Sequence, residues 1–178
     1  MRLAMPAFAA LLLAACTSQP DYREETAAPQ TVPSVDLARY AGLWYEIARY
    51  PVFFEKGCTA TTAEYGQIDA ETISVLNTCR KETPDGPAET AAGKATIVGP
   101  GKLKVKFDRV PFVRGDYWVL WVDESYQTAV VGVPSGSAGW ILARTPTIDA
   151  ARRARAEAVL EANGYDPSRL YDVPQAAE

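Results

Sequence analysis

A chain of 178 residues with a net charge of −4 is long enough for one domain with a sizeable core, and it lacks the basic character of a nucleic-acid-binding surface. It contains no histidine. That excludes a Ser-His-Asp triad, a Cys-His pair and a His-ligated zinc site, and the sequence points to no metal and no cofactor.

The N-terminus reads as a processing segment. Met1-Arg2 is a short positive start, and Ala4 to Leu13 is apolar but too short to span a bilayer. Leu13-Ala14-Ala15-Cys16 resembles the lipobox of bacterial lipoproteins. That resemblance implies cleavage before Cys16 and acylation of its new N-terminus; an ordinary secretory signal is the alternative. Thr17 stands where an Asp retains many such lipoproteins in the inner membrane, so the resemblance points to the bacterial outer membrane, on its periplasmic side. Pro20, Pro29 and Pro33, among small and polar residues, read as an extended tether. The expected organisation is a signal peptide over 1–15, a lipidated tether over 16–34 and a barrel domain over 35–178.

The domain opens on Val35 to Pro51, in which Asp36 to Tyr40 gives a helical turn and Gly42 leads into an aromatic strand, Trp44 to Tyr50. A glycine lets the backbone turn tightly at a strand entrance, and a Trp two residues on can fill the closed end of a barrel. Strand-like runs follow at Cys58 to Ile68, Thr72 to Lys81 and Glu89 to Val98, separated by Asp69-Ala70 and Thr83-Pro84-Asp85-Gly86-Pro87. Leu103, Val105 and Phe107 alternate with lysines, as in a half-buried strand. In Asp116 to Val122 both faces are apolar: Tyr117, Val119 and Trp121 on one, Trp118, Leu120 and Val122 on the other. Its outer face is expected to be covered or to meet a partner, and a homodimer is one such partner. Thr128 to Val133 and Gly139 to Thr145 complete about eight consecutive strands, an antiparallel meander whose edges are best removed by closure into an up-and-down barrel. Asp149 then caps a helix over Ala150 to Asn163, with Gly164 as its stop. The small residues Ala151, Ala154, Ala158 and Ala162, joined by Val159, are its expected docking face, with Arg152, Arg153 and Arg155 in solvent. Ser168 to Val173 is read as a last short strand.

In this order the chain resembles a lipocalin, and closely the bacterial outer-membrane lipoprotein lipocalins. Gly42-Leu43-Trp44-Tyr45-Glu46-Ile47-Ala48-Arg49-Tyr50-Pro51 is similar to the family's Gly-x-Trp opening. Asp123-Glu124-Ser125-Tyr126 before Ala129-Val130-Val131 is similar to the loop between its sixth and seventh strands, and Trp140 to Pro146 carries its late arginine. The resemblance implies an all-β, eight-stranded antiparallel calyx with a C-terminal helix packed outside. It also implies that Arg144 lies over Trp44 beside Gly42 at the barrel base, a structural role. With Cys16 consumed by acylation, Cys58 and Cys79 remain, and an exported domain favours their pairing across the hairpin near Asp69, with a bulge if the register requires one. Two free buried thiols are the alternative. The family's usual disulfides lie elsewhere.

Inward-facing candidates, from strand alternation, are Tyr65, Val75, Asn77, Val105, Tyr117, Val119, Trp121, Val130, Trp140 and Leu142. Tyr65, Asn77 and Trp140 also draw on similarity to the pocket of apolipoprotein D, a more distant relative. Phe53 and Phe54 are expected at the open end, and Arg49, Lys56 or Arg114 near a ligand's head. The resemblance implies a small hydrophobic ligand, a fatty acid, lysophospholipid or similar, and no enzymatic activity. The other readings are a filled structural barrel, or an enzyme acting through a desolvated carboxylate such as Glu46 or Glu64.

Overall fold

The computed structural model describes residues 21–24, 27–110 and 112–176. The expected signal peptide and Cys16 lie outside these residues. A helical turn, α1 (Leu37–Tyr40), precedes eight strands: β1 (Gly42–Arg49), β2 (Cys58–Gln67), β3 (Thr72–Lys81), β4 (Ala88–Gly99), β5 (Lys102–Phe107), β6 (Gly115–Val122), β7 (Thr128–Gly132) and β8 (Gly139–Ala143). A helix, α2 (Ala150–Ala162), and a short strand, β9 (Tyr171–Asp172), follow. Each strand from β2 to β7 pairs antiparallel with the next, β8 pairs with β1, and β1 closes the circle on β2. The expected calyx with an outer helix is the observed fold.

Closure is incomplete along β1. Its first half, Gly42 to Tyr45, pairs with β2, whereas Ala48 and Arg49 pair with β9. The C-terminal segment seals the split between β1 and β2. Val173 donates to the Ile47 carbonyl at 3.0 Å, the Pro174 carbonyl accepts from Ala60 at 2.6 Å, and Gln175 Nε2 donates to the carbonyls of Glu46 at 2.7 Å and Thr61 at 3.3 Å. These bonds satisfy strand groups that barrel closure would otherwise leave orphaned.

Two apolar clusters divide the molecule. One fills the barrel interior around Trp44, Leu103, Val119 and Leu142. The other lies outside, where α2 covers Leu120, Val130 and Ile141. Asp149 caps α2 by accepting from the Arg152 N–H at 2.8 Å. The helix docks through Ala156 and Leu160, both fully buried, with Val159 beside them. The expected alanine face is instead exposed at Ala151, Ala154, Ala158 and Ala162. Burial scales with apolar area, so one Leu outweighs a row of methyl groups in setting the helix's rotation. Arg153 is not left to solvent: it pairs with Glu157 and with Asp172, each at 2.6 Å.

The residues read as a tether also differ where they are described. Tyr22 is buried and stacks on Tyr50 with ring centroids 4.7 Å apart, and Val32 donates to the Val119 carbonyl at 3.0 Å. An aromatic ring with an apolar partner within reach leaves water.

Candidate functional site

The closed end of the barrel is built from the three motifs together. Trp44 is fully buried, and its indole N–H donates to the Tyr40 carbonyl at 2.8 Å. The Arg144 guanidinium lies 3.9 Å above the Trp44 ring. It donates to the carbonyls of Leu43 at 2.7 Å, of Arg39 and Ala41 at 2.8 Å, and of Tyr126 at 3.2 Å. Those carbonyls belong to the end of α1, the start of β1 and the β6–β7 loop, so one planar cation ties separate segments together. Gly42 has φ +95°, and a Cβ there would stand 3.3 Å from Arg144 Nη1. Asp123 shapes the loop by accepting from the N–H groups of Gln127 at 2.6 Å and Thr128 at 3.3 Å.

Above this base lies a cavity of about 300 Å³. Its floor carries a chain of phenols, with Tyr117 hydrogen-bonded to Tyr40 at 2.8 Å and to Tyr65 at 3.0 Å. Burial raises the pKa of each, so they stay neutral. Ile73, Val75, Ala95, Val105, Phe107 and Leu142 make the walls apolar, and Asn77 and Trp140 also line it. Phe54 borders the mouth, 57% exposed.

The remaining expected ligand contacts fall elsewhere. Val119 points inward but is fully buried in the core rather than on the cavity. Trp121 and Val130 face outward, against α2, correcting the expected orientation. A bulge between Val119 and Trp121 adds a residue to β6 and flips the parity beyond it. In β7 every residue is buried because α2 covers its outer face, so hydrophobicity does not mark which side Val130 takes. The same bulge leaves Trp118 and Leu120 outside, with Leu120 buried under the helix, and turns Val122 to the interior cluster. The face expected to be covered or to meet a partner is thus largely covered, from within the chain. Phe53 is 77% exposed and lies on an outer groove rather than on the cavity, with its ring edge-to-face on Phe54 at 5.3 Å.

The cavity's polar wall is the feature that strand alternation only half disclosed. Glu46 is two residues beyond Trp44, on the same face of β1, and lines the cavity with Thr61 and with Glu55, from a 3₁₀ turn at Phe53–Glu55. Arg49, expected at a ligand's head, is buried: Nη1 reaches Glu46 at 2.7 Å and Nε reaches Glu55 at 3.2 Å. Trp140 Nε1 donates to Glu55 at 3.4 Å. Burial, reinforced by the charge of Glu55 and opposed by Arg49, pushes the Glu46 carboxyl up to about 8. Burial also raises Glu55. Period-two spacing from Trp44 was the available signal for Glu46; a short turn offers none for Glu55. Glu64 is exposed, as are Lys56 and Arg114. Cys58 and Cys79 form a disulfide at the open end, on the register left by a bulge in β2 between Thr59 and Thr62.

A closed barrel with a tied base and an apolar cavity is an architecture suited to one small hydrophobic ligand. The profile of the lipocalin-like domain matches residues 35–175, and the chain belongs to the lipocalin family, whose members bind such ligands. It is 39% identical to temperature-induced lipocalin-1 of Arabidopsis thaliana over 83% of both chains. It is 37% identical to the outer membrane lipoprotein Blc of Escherichia coli, over 97% of this chain and 96% of that one. Among solved structures, insecticyanin from the tobacco hornworm Manduca sexta superposes with a TM-score of 0.68 at 26% identity, covering 88% of each chain.

Proposed function

We propose that the protein holds one single-chain lipid, a fatty acid, lysophospholipid or similar, in its barrel at the bacterial outer membrane, anchored through an acylated Cys16. The observation that carries the reading is the cavity. Its walls are mainly apolar, and its 300 Å³ sits at the lower end of the roughly 300–1,000 Å³ usual for ligand pockets, suiting one acyl chain rather than two. Apolar surface leaving water contributes about 25 cal/mol per Å². The exposed aromatics Phe53 and Phe54 beside the mouth offer an apolar entry. Similarity to Blc along nearly the whole chain supports the anchor and the location. Carriage rather than catalysis fits a site without histidine in which Glu46 is tied to Arg49.

Trp140, on the cavity wall, is the reporter. Titration with a lysophospholipid should quench its fluorescence to saturation at one lipid per chain. In Trp140→Phe that component of the quench should vanish. An unchanged emission across lysophospholipids and fatty acids would refute the proposal and favour a self-filled barrel.

A further inference from the structure

The charged groups that line the cavity are of one sign only. Glu46, Glu55 and Asp116 line it, with no lysine or arginine among its described lining residues. Asp116 is matched by Lys104 at 2.7 Å. Among the described residues Glu46 and Glu55 share a single cation, Arg49, and it faces away. Arg49 spends its donors on Glu46, on Glu55, and on the carbonyls of Glu55 and Cys58, both at 3.0 Å, with the Tyr171 ring 5.1 Å from its centre. It borders the outer groove instead of the cavity. One guanidinium between two carboxylates leaves a negative charge in excess when both are ionised, with no cation among the described residues at the cavity to meet an incoming anion. The same wall presents two more buried oxygens that have no hydrogen-bond partner, Thr61 Oγ1 and Asn77 Oδ1. Asn77 Oδ1 is an acceptor, and a threonine hydroxyl can also accept. Thr61 neighbours Glu46 across the split in the barrel, where Gln175 bonds both carbonyls.

We infer that Glu46 and Glu55 are specificity-determining residues: with Thr61 and Asn77 they form an acceptor ledge that takes a hydroxyl or an amine and refuses a carboxylate anion unless a proton comes with it. The inference rests on the lipid-binding reading and narrows its ligands to single-chain amphiphiles whose buried polar group is a neutral or cationic donor. An unpaired charge brought into a water-poor cavity beside a like charge is strongly disfavoured, whereas a donor meets oxygens that otherwise lack partners. The charged and titratable groups around Glu46 are Arg49 on its own strand, Glu55 from the 3₁₀ turn and Tyr65 from β2. Tyr40, Tyr117 and Arg144 lie towards the floor, Tyr171 lies behind Arg49 on β9, and Trp140 and Gln175 add uncharged donors.

The test compares dodecanol, dodecylamine and dodecanoate, which share one chain and differ in the head. Affinities would be measured on the wild-type protein by Trp fluorescence at about pH 6 and about pH 9. At the higher pH dodecanoate should bind roughly tenfold to a hundredfold more weakly than the other two, the range expected for like charges a few ångströms apart. Towards the lower pH its affinity should recover. Glu55→Gln and Glu46→Gln should each narrow the gap, and the wild-type series decides the matter where a variant does not fold. Dodecanoate binding as tightly as dodecanol at about pH 9 would overturn the ledge while leaving lipid binding intact. So would a gap that both variants leave untouched. Binding of none of the three would overturn the lipid-binding reading, and this inference with it.

Discussion

Replacing Arg144 with alanine removes the tie at the barrel base. The lost interactions are a cation–π contact at 3.9 Å and hydrogen bonds to the carbonyls of Leu43, Arg39, Ala41 and Tyr126. A cation–π contact contributes about 0.5–2 kcal/mol, and a hydrogen bond from a charged donor about 1.5–3 kcal/mol. Arg144 is partly exposed, so water replaces several of those donors in the variant and the hydrogen-bond contribution is heavily discounted. The net loss is about 2–4 kcal/mol, within the range of well-explained single substitutions. At roughly 2–4 °C per kcal/mol for a domain of this size, Tm should fall by about 4–16 °C. Arg144→Lys keeps a cation near Trp44 but cannot span the carbonyls, so it should recover only a minor part. Thermal unfolding followed by near-ultraviolet circular dichroism, which reports the packing of Trp44, is the assay. A Tm for Arg144→Ala within about 2 °C of wild type would refute the reasoning, since the smallest change expected is about twice that.

Gly42→Ala should lower stability by at least about 1 kcal/mol, because an alanine at φ +95° is strained and its Cβ would press on the Arg144 guanidinium; a urea midpoint equal to wild type would contradict this. The Cys58–Cys79 disulfide spans 21 residues, so Cys58→Ser with Cys79→Ser should cost about 3 kcal/mol, read as a lower denaturation midpoint in urea. Leu160→Ala should cost about 2–5 kcal/mol by emptying the contact between α2 and the barrel, whereas Ala158→Ser, on the exposed face, should change Tm little. Glu46 supplies a pH dependence. Its folded pKa is raised from 4.5 to about 8, so the native state holds the proton more tightly than the unfolded chain. Stability from this group is full below about 4.5 and is lost as pH rises through about 8, a difference of a few kcal/mol at most. Urea midpoints at about pH 5 and pH 8 should show this decline in wild type and a flatter profile in Glu46→Gln.

The barrel was legible because its strands announce themselves in different ways. Lysines alternate with Leu103, Val105 and Phe107 along β5, and Pro-Asp-Gly-Pro punctuates the β3–β4 turn. Alternation fails where an extra residue enters a strand or both faces are buried. The β6 bulge turned Trp121 away from the interior, and the outer cover of α2 hid the side taken by Val130. Small residues suggest close approach along one face of α2, but the larger Leu160 has more area to bury and sets the helix's rotation. Tyr22 could have signalled docking of the N-terminal segment, as an aromatic ring within an otherwise polar stretch. The Arg49 cluster was beyond reach because Glu55 comes from a turn whose path no local pattern fixes.

Native mass spectrometry of the protein purified without detergent and mixed with a lysophospholipid tests the account's central claim most directly. The cavity predicts the mass of one lipid per chain, and its loss in Val75→Trp, whose larger side chain would fill the wall that Val75 lines. A wild-type protein that takes up no lipid, or a filled variant that takes it up equally well, would contradict the claim that this cavity is the binding site.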